Sequence, residues 1–254
     1  MSGGHTHGHG LFVHGHSRLH TLAPQCKVAG ALAFVLVVVA TPREAFWAYG
    51  VYAGLIVALT LNARVPPLTL LRRLAIETPF LIFVVALPFV ARGERLDIAG
   101  LSLSVEGLWG AWNIFVKATL GAAAMMLLAS TTPITSILHG LQKLRVPSVI
   151  VAIAGFMIRY ADVIASEMRR MKVGRQSRGY EPRVLWQARA LASSAGTLFI
   201  RSYERGERVH LAMMSRGYSG TMPELAEVDA SPTDWLTAFL VPAVAAMICV
   251  LAWL

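Results

Sequence analysis

The sequence predicts an all-α integral membrane protein with about five transmembrane helices and two long cytoplasmic amphipathic helices. Of its 254 residues, 56% are hydrophobic and only 15% are charged, which is too apolar for an ordinary soluble domain. Five long apolar stretches alternate with polar segments, and one large basic region precedes the last stretch. These observations indicate that the lipid bilayer is the main solvent of the chain.

Each apolar stretch is close to the length of a membrane span. A spanning helix needs about 20 mostly apolar residues, and slightly fewer where the bilayer is thin. The first stretch is short, and with the second it can form a tight hairpin around residues 41–44. Gly50 and Gly54 give the second stretch a small-residue face that permits close helix approach. The predicted spans are 26–40, 45–61, 74–91, 108–132 and 235–254.

The distribution of lysine and arginine predicts the orientation. Arg64, Arg72 and Arg73 place loop 62–73 on the cytoplasmic side, and the weaker basic signal of loop 92–107 places that loop outside. The N-terminus is then predicted to be cytoplasmic.

The apolar segment 148–165 is predicted not to cross the membrane. If it crossed, the 11 lysine and arginine residues of 169–216 would lie outside, which the positive-inside rule strongly disfavours.

The basic region contains two predicted amphipathic helices. Apolar residues recur at intervals of three and four over 148–178, and small or apolar residues do so over 185–216. Glycine and proline then break the helical pattern before the last span. The predicted organisation is a His/Gly-rich cytoplasmic tail at 1–24, a four-helix transmembrane region at 25–132, a cytoplasmic arm with the two helices at 133–234, and a C-terminal transmembrane helix at 235–254.

The tetrapeptide Ser-Arg-Gly-Tyr occurs twice, at the end of each predicted amphipathic helix. Helix capping explains this pattern, because glycine takes the left-handed conformation after the last turn and arginine faces the negative end of the helix dipole. A guanidinium at a helix end also suits a bidentate carboxylate on a partner. Both roles are compatible, and the candidate docking residues are Ser177, Arg178, Gly179, Ser215, Arg216 and Gly217.

Two further features carry weaker functional signals. Histidines recur in the N-terminal segment, and imidazole nitrogen binds borderline metal ions. The glycine content of this segment favours a flexible tail, a weak metal collector at most, so His5, His7 and His9 are only weak candidates for metal ligands. Lys117 lies within the fourth predicted span, where structural pairing or snorkelling explains it better than a role in transport.

The sequence motifs of common enzymes are absent. There is no phosphate-binding loop, no His-Glu-x-x-His helix and no nucleophile elbow, so we expect no catalytic activity and no cofactor. Cys26 and Cys249 lie at opposite ends of the chain without CxxC spacing, so neither a disulfide framework nor a thiolate metal site is indicated. The net charge of +9 comes from arginines interleaved with apolar runs, a pattern that does not favour a nucleic-acid partner.

Two long blocks of sequence carry a family resemblance: FMIRYADVIASEMRRMKVGRQSRGY and RSYERGERVHLAMMSRGY. Shorter matches are ATPREAFW after the first span, LSLSVEGLWGAWNIFVKATLGA into the fourth, and STTP at 130–133. Over roughly residues 11–220, the chain resembles the transmembrane T component of energy-coupling-factor (ECF) importers of the cobalt type, the CbiQ-like proteins.

The resemblance implies a multi-pass scaffold in the inner (plasma) membrane, without ATPase activity of its own. Its two cytoplasmic coupling helices would each end in an Ala-Arg-Gly-type motif that docks an ABC-type ATPase subunit. Here both motifs read Ser-Arg-Gly, which retains arginine and glycine, so the docking role falls on Arg178 and Arg216. A separate CbiM-like membrane subunit, with or without a small CbiN-like subunit, would capture the cobalt or nickel ion.

Two other classes compete with this interpretation. A self-sufficient channel or secondary transporter needs polar groups that converge at mid-membrane, and only Asn113 and Lys117 approach that pattern. A membrane-embedded enzyme needs clustered acids, histidines or a metal site, and His139 and His210 stand apart from any such set.

Overall fold

The computed structural model of the protein describes residues 18–64, 77–91, 95–98, 101–180, 188–220 and 230–254. Within them the chain is helical apart from one short antiparallel β-hairpin, so the predicted all-α membrane class is confirmed. The elements are α1 (Arg18–Thr21), α2 (Pro24–Ala40), α3 (Phe46–Asn62), α4 (Thr78–Val90), β1 (Arg95–Ile98), β2 (Leu101–Ser104), α5 (Val105–Thr131), α6 (Ile134–Lys143), α7 (Ser148–Gln176), α8 (Ala188–Met214) and α9 (Pro232–Trp253).

The predicted spans correspond to apolar helices. Three helices, α5, α7 and α9, are long and apolar enough to cross a membrane, and α2, α3 and residues 80–90 of α4 are shorter apolar helices. The start of the third predicted span, 74–76, lies outside the described residues, as do Arg72 and Arg73 of the preceding loop. The predicted turn between α2 and α3 is present at 41–45.

Helix starts follow local capping chemistry. Ser104 caps α5, because its hydroxyl accepts a hydrogen bond from the Gly107 N–H at 3.3 Å. Ser231 and Asp234 form a capping box at the start of α9, with Pro232 in the first turn. The boundaries of these two helices are therefore encoded within a few residues of each start.

The described residues form two compact units. The first, called here the bundle, contains α1 to α6, the β-hairpin and α9. The second, called here the coupling pair, contains α7 and α8.

Contacts within the bundle define the directions of its helices. α2 and α9 are parallel, because a Cβ on Gly30 would lie 2.7 Å from the Ala238 carbonyl oxygen near their starts and Trp253 Nε1 donates to the Ala40 carbonyl near their ends at 3.1 Å. α5 is antiparallel to α2, since Lys27 contacts the end of α5.

The remaining two bundle helices continue this alternation. Phe46, at the start of α3, packs on Trp109 near the start of α5 with ring centroids 5.5 Å apart, so these helices are parallel. Thr119 in α5 donates to Glu77 just before α4 at 3.1 Å, and Gly107 lies against Pro88 at the other end. α4 and α5 are therefore antiparallel.

These directions make the chain leave α5 and enter α9 at the same end of the bundle. A segment that starts and finishes on one side crosses a membrane an even number of times. α8 lacks the composition of a spanning helix, so no described helix of this segment could return the chain if α7 crossed. The arrangement is consistent with the prediction that 148–165 does not cross, which stays a prediction.

Two lysines bridge the antiparallel helices α2 and α5. Lys117 in α5 donates to the Val39 carbonyl at the end of α2 at 2.7 Å, and Lys27 in α2 donates to the Thr131 carbonyl at the end of α5 at 3.4 Å. Each ammonium thus bonds a last-turn carbonyl of the other helix, which has no partner within that helix. The ammonium also lies at the negative end of that helix's dipole. The contact of Lys117 agrees with its predicted structural pairing.

Two elements and one helix face differ from what the sequence predicts. α6, which we did not predict, packs on the start of α2, where a Cβ on Gly140 would lie 3.0 Å from the Gln25 nitrogen. The β-hairpin pairs Arg95 with Ser104 in the loop predicted to lie outside. The face with Gly50 and Gly54 is exposed, and a Cβ at either glycine would meet no atom within 4 Å.

The coupling pair consists of the two predicted amphipathic helices, which are confirmed at α7 and α8; residues 185–187 lie outside the described residues. Glu167 on α7 pairs with Arg205 on α8 at 2.8 Å. Arg175 Nη1 donates to Ser194 Oγ at 2.7 Å. Because the later residue on α7 meets the earlier residue on α8, the two helices are antiparallel.

Candidate docking motifs on the coupling pair

The first Ser-Arg-Gly-Tyr motif ends α7 as a Schellman cap. The Gly179 N–H donates to the Gln176 carbonyl at 2.9 Å, and the Tyr180 N–H donates to the Arg175 carbonyl at 3.1 Å, the two hydrogen bonds that define this cap. Gly179 has a φ of 73°. A Cβ there would meet no atom within 4 Å, so this position needs glycine for its backbone conformation and not for space.

The second motif ends α8 with the same hydrogen bonds. The Gly217 N–H donates to the Met214 carbonyl at 3.0 Å, and the Tyr218 N–H donates to the Met213 carbonyl at 3.1 Å. Gly217 has a φ of 83° and open space at its Cβ position. The two tetrapeptides are therefore the same local structure, in which arginine is the C-cap residue.

The serine of each motif bonds to its own helix. Ser177 Oγ donates to the Gly174 carbonyl at 3.1 Å, and Ser215 Oγ donates to the Ala212 carbonyl at 3.0 Å. The hydroxyl donor is thus satisfied locally, as is common for serine near a helix end. Serine at this position therefore leaves no unpaired hydroxyl donor at the helix end.

The two motif arginines have no protein partner in the part of the chain that the structure describes. Arg178 and Arg216 are exposed, and neither guanidinium makes a hydrogen bond or ion pair with a described residue. Other arginines of the coupling pair are engaged; Arg208, for example, pairs with Glu204 at 3.9 Å. The motif arginines therefore present planar donor groups that are available to a carboxylate.

The antiparallel arrangement places the two motifs at opposite ends of the coupling pair. Tyr218 of the second motif lines the same cavity as Val149 at the start of α7, whereas the first motif follows the end of α7. A straight helix of the 29 residues of α7 is about 43 Å long. The pair can thus contact two separate surfaces at once.

The surroundings of the second motif are apolar. The cavity of about 460 Å³ between the start of α7 and the end of α8 is lined mainly by hydrophobic side chains, with His210 at its edge. The predicted apolar stripe of α7 is largely uncovered in the described chain, since Ile150, Ile153 and Met157 are each more than half exposed. An uncovered stripe of this kind indicates a surface that another protein or lipid covers.

Sequence reasoning missed the contacts that join the two helices. Glu167 and Arg205, and likewise Arg175 and Ser194, are distant in sequence and carry no short-range pattern. Only knowledge of the antiparallel register would have paired them.

The weak metal candidates His5, His7 and His9 lie outside the described residues. Across the described ranges, no group of three or more histidine, cysteine, aspartate or glutamate side chains is placed to hold a metal ion.

Comparison with known proteins identifies the family of the chain. The family model of the cobalt transport protein CbiQ matches residues 15–226, which includes both motifs and the whole coupling pair. The chain belongs to the CbiQ cobalt transport family. The match also includes α2 to α6, whereas α9 lies beyond it.

Individual relatives of the CbiQ family show the extent of the similarity. An energy-coupling factor transporter transmembrane protein EcfT of Acidaminococcus fermentans is 26% identical over 96% of both chains. A cobalt transport protein CbiQ of Rhodobacter capsulatus is 28% identical over 50% of this chain and 52% of its own length. An uncharacterized protein of Methanocaldococcus jannaschii is 28% identical over 53% of this chain, and this chain spans about half of that relative, 51%.

Proposed function

We propose that this CbiQ-family chain is the transmembrane coupling subunit of an ECF-type ABC importer for cobalt or nickel ions. Its partners are ABC-type ATPase subunits and a CbiM-like substrate-binding membrane subunit, with or without a CbiN-like subunit. The observation that carries the proposal is the pair of identical capped helix ends, each with an exposed arginine that has no partner among the described residues, Arg178 and Arg216.

The proposed docking site at each end consists of three residues. Arginine supplies a forked donor to a carboxylate on the ATPase subunit. Glycine holds the cap that ends the helix directly after the arginine, and serine bonds within the last turn without adding a free donor. The six residues are Ser177, Arg178, Gly179, Ser215, Arg216 and Gly217.

The coupling pair would act as a rigid lever. Glu167 is largely shielded from solvent, with 16% of its side chain exposed, and its ion pair with Arg205 fixes α7 against α8 near mid-length. Arg175 and Ser194 provide a second tie closer to the first motif. When two ATPase subunits close on ATP, displacement of both ends moves the pair as one body, and hydrolysis takes place on the partners.

In the proposed orientation the protein lies in the inner (plasma) membrane with its N-terminus in the cytoplasm. It crosses the membrane five times, by α2, α3, α4, α5 and α9. This places the coupling pair on the side of the ATPase subunits. Reporter fusions at Ser2 and Leu254 test it, because five crossings put the two fusions on opposite sides. Two reporters on the same side would contradict it.

A self-sufficient channel is less well supported. The polar groups predicted as channel candidates are engaged in the bundle: Lys117 bonds the Val39 carbonyl, and Asn113 accepts a hydrogen bond from Tyr49 at 3.5 Å. These contacts satisfy the polar groups inside the protein and leave them less available to line an ion path.

Reconstitution separates the two functions. The chain is purified through an affinity tag from its native membranes, co-purified proteins are identified, and proteoliposomes are assayed for cobalt and nickel uptake. We expect ABC-type ATPase subunits in the complex and uptake only with ATP. Uptake by the chain alone, without ATP or partners, would establish a channel and refute the coupling role.

A further inference from the structure

A cavity of about 110 Å³ lies inside the bundle, between α2, α3, α5 and α9, with α1 at one end. It exists because facing positions of the helices carry small residues, among them Gly30, Ala31, Ala124 and Ala238. An engineered cavity of about 150 Å³ with an apolar lining binds benzene. The space in the bundle is therefore large enough for one slender apolar group.

Lys27 is the charged side chain among the described residues that line this cavity, and it is only 8% exposed. Its ammonium donates to the His20 carbonyl at 3.1 Å, and to the Thr131 carbonyl and Thr132 Oγ1 at 3.4 Å each. These contacts are longer than the roughly 2.7–2.9 Å of a charge-assisted bond to a carboxylate or phosphate. No acceptor among the three carries a charge, and no described acidic side chain pairs with Lys27. A buried cation without a counter-ion is costly in a membrane protein, so this position favours an anionic ligand.

The cavity has the direction of a lipid within one leaflet. Its polar lining lies at one end of the bundle: Lys27 near the start of α2, Thr131 at the end of α5 and Thr237 near the start of α9. The remaining lining is apolar and reaches Phe34, which lies about 10 Å further along α2. A phosphate at the helix ends and an acyl chain directed toward the bilayer centre match this distribution.

α9 marks an opening to the outside of the bundle. Thr237 lines the cavity and is exposed. The next residue, Ala238, faces Gly30 on the parallel helix α2, so Thr237 lies close to the depth of Lys27. One chain of a lipid can therefore enter from the side, while its second chain stays in the bilayer.

We propose that this cavity binds one acyl chain of an anionic phospholipid whose phosphate contacts Lys27. An anionic headgroup is favoured because this end of the bundle also carries the exposed Arg64, which follows α3. Asp234, an acid at the same end, is engaged in the capping box of α9. Binding does not depend on the coupling role. Only its assignment to the cytoplasmic leaflet, which has a negative surface potential, rests on the proposed orientation.

Relipidation of the full chain in detergent tests the proposal. The delipidated protein is titrated with phosphatidylglycerol or phosphatidylcholine of the same acyl chains, and native mass spectrometry measures the bound lipid and its Kd. We expect one phosphatidylglycerol to remain after detergent exchange. It should bind at least about fivefold more tightly than phosphatidylcholine, because of its net negative charge.

Two pairs of variants separate recognition of the chain from recognition of the headgroup. Ala124→Leu fills the cavity and should remove the retained lipid, whereas Ala58→Leu makes the same change at an exposed position of α3 outside the lining and should retain it. Lys27→Met should weaken the Kd for phosphatidylglycerol about tenfold to a hundredfold. Lys117→Met removes the other lysine that bonds a helix-end carbonyl and should keep the lipid preference.

Three results would overturn the proposal. They are equal lipid retention by Ala124→Leu and Ala58→Leu, equal affinity of the wild type for the two phospholipids, and displacement of phosphatidylglycerol by an equimolar fatty acid, which would indicate a single-chain ligand. If Ala124→Leu does not fold, Ala31→Leu fills the same cavity. If Lys27→Met does not fold, the lipid preference of the wild type still decides whether the headgroup is recognised.

Discussion

Replacement of either motif arginine by alanine should separate docking from folding. Arg178 and Arg216 are exposed and lack partners among the described residues, so their removal should change the stability of the chain by at most about 0.5 kcal/mol. In the complex, removal of one partner from a buried charge pair costs about 2–5 kcal/mol. That range corresponds to a Kd for the ATPase subunits weaker by about 30-fold to 5,000-fold.

The assay measures ATPase-subunit pull-down, metal uptake and melting temperature at equal membrane expression. Each single variant should lose association and uptake, the double variant should lose coupling altogether, and lysine should restore function only in part because it lacks the planar fork. Arg208→Ala is the matched control, since Arg208 is an exposed arginine on α8 outside the motif. Wild-type association and uptake in the double variant would reduce both motifs to helix caps and refute the reasoning.

Three further predictions concern the bundle and the lever. Gly30→Ala should destabilise the chain by about 1–3 kcal/mol, because its Cβ would lie 2.7 Å from a backbone oxygen of α9. Gly50→Ala is the control, since a Cβ there meets open space and should not destabilise the chain. Melting in detergent compares the two variants, and equal melting temperatures would contradict the close approach. Lys117→Met should cost about 1–3 kcal/mol by removing the donor to the Val39 carbonyl, and unchanged melting would show that this contact is unimportant. Arg205→Leu should lower uptake while ATPase association persists, since it releases Glu167; full uptake at equal expression would exclude this pair from the lever.

The helical parts of the fold were predictable because their signals are local. Apolar runs and helix periodicity predicted the bundle helices and the coupling pair, and the glycine of each repeated tetrapeptide predicted the caps at Gly179 and Gly217. The chemical role of serine was not predicted, because its bond to the carbonyl three residues earlier depends on the side-chain rotamer.

The missed elements depend on contacts between distant residues. α6 is a short helix whose position is stabilised by the close approach of Gly140 to α2. Both strands of the hairpin alternate polar and apolar residues, Arg-Leu-Asp-Ile in β1 and Leu-Ser-Leu-Ser in β2, but each is only four residues long, which is too short for the alternation to distinguish a strand from a loop. The register of α7 against α8, and with it the ion pair of Glu167 with Arg205, likewise has no local signature.

The parallel packing of α2 and α9 has a consequence for the order of assembly. α9 follows the coupling pair in the chain, yet it fills the cleft at Gly30 near the start of α2. During synthesis, α2 to α5 therefore enter the membrane before α9 exists, with this cleft unfilled. The cleft stays unfilled while the coupling pair is translated. The bundle closes only after both Ser-Arg-Gly motifs have been translated, so every chain with a closed cleft already carries both proposed docking motifs.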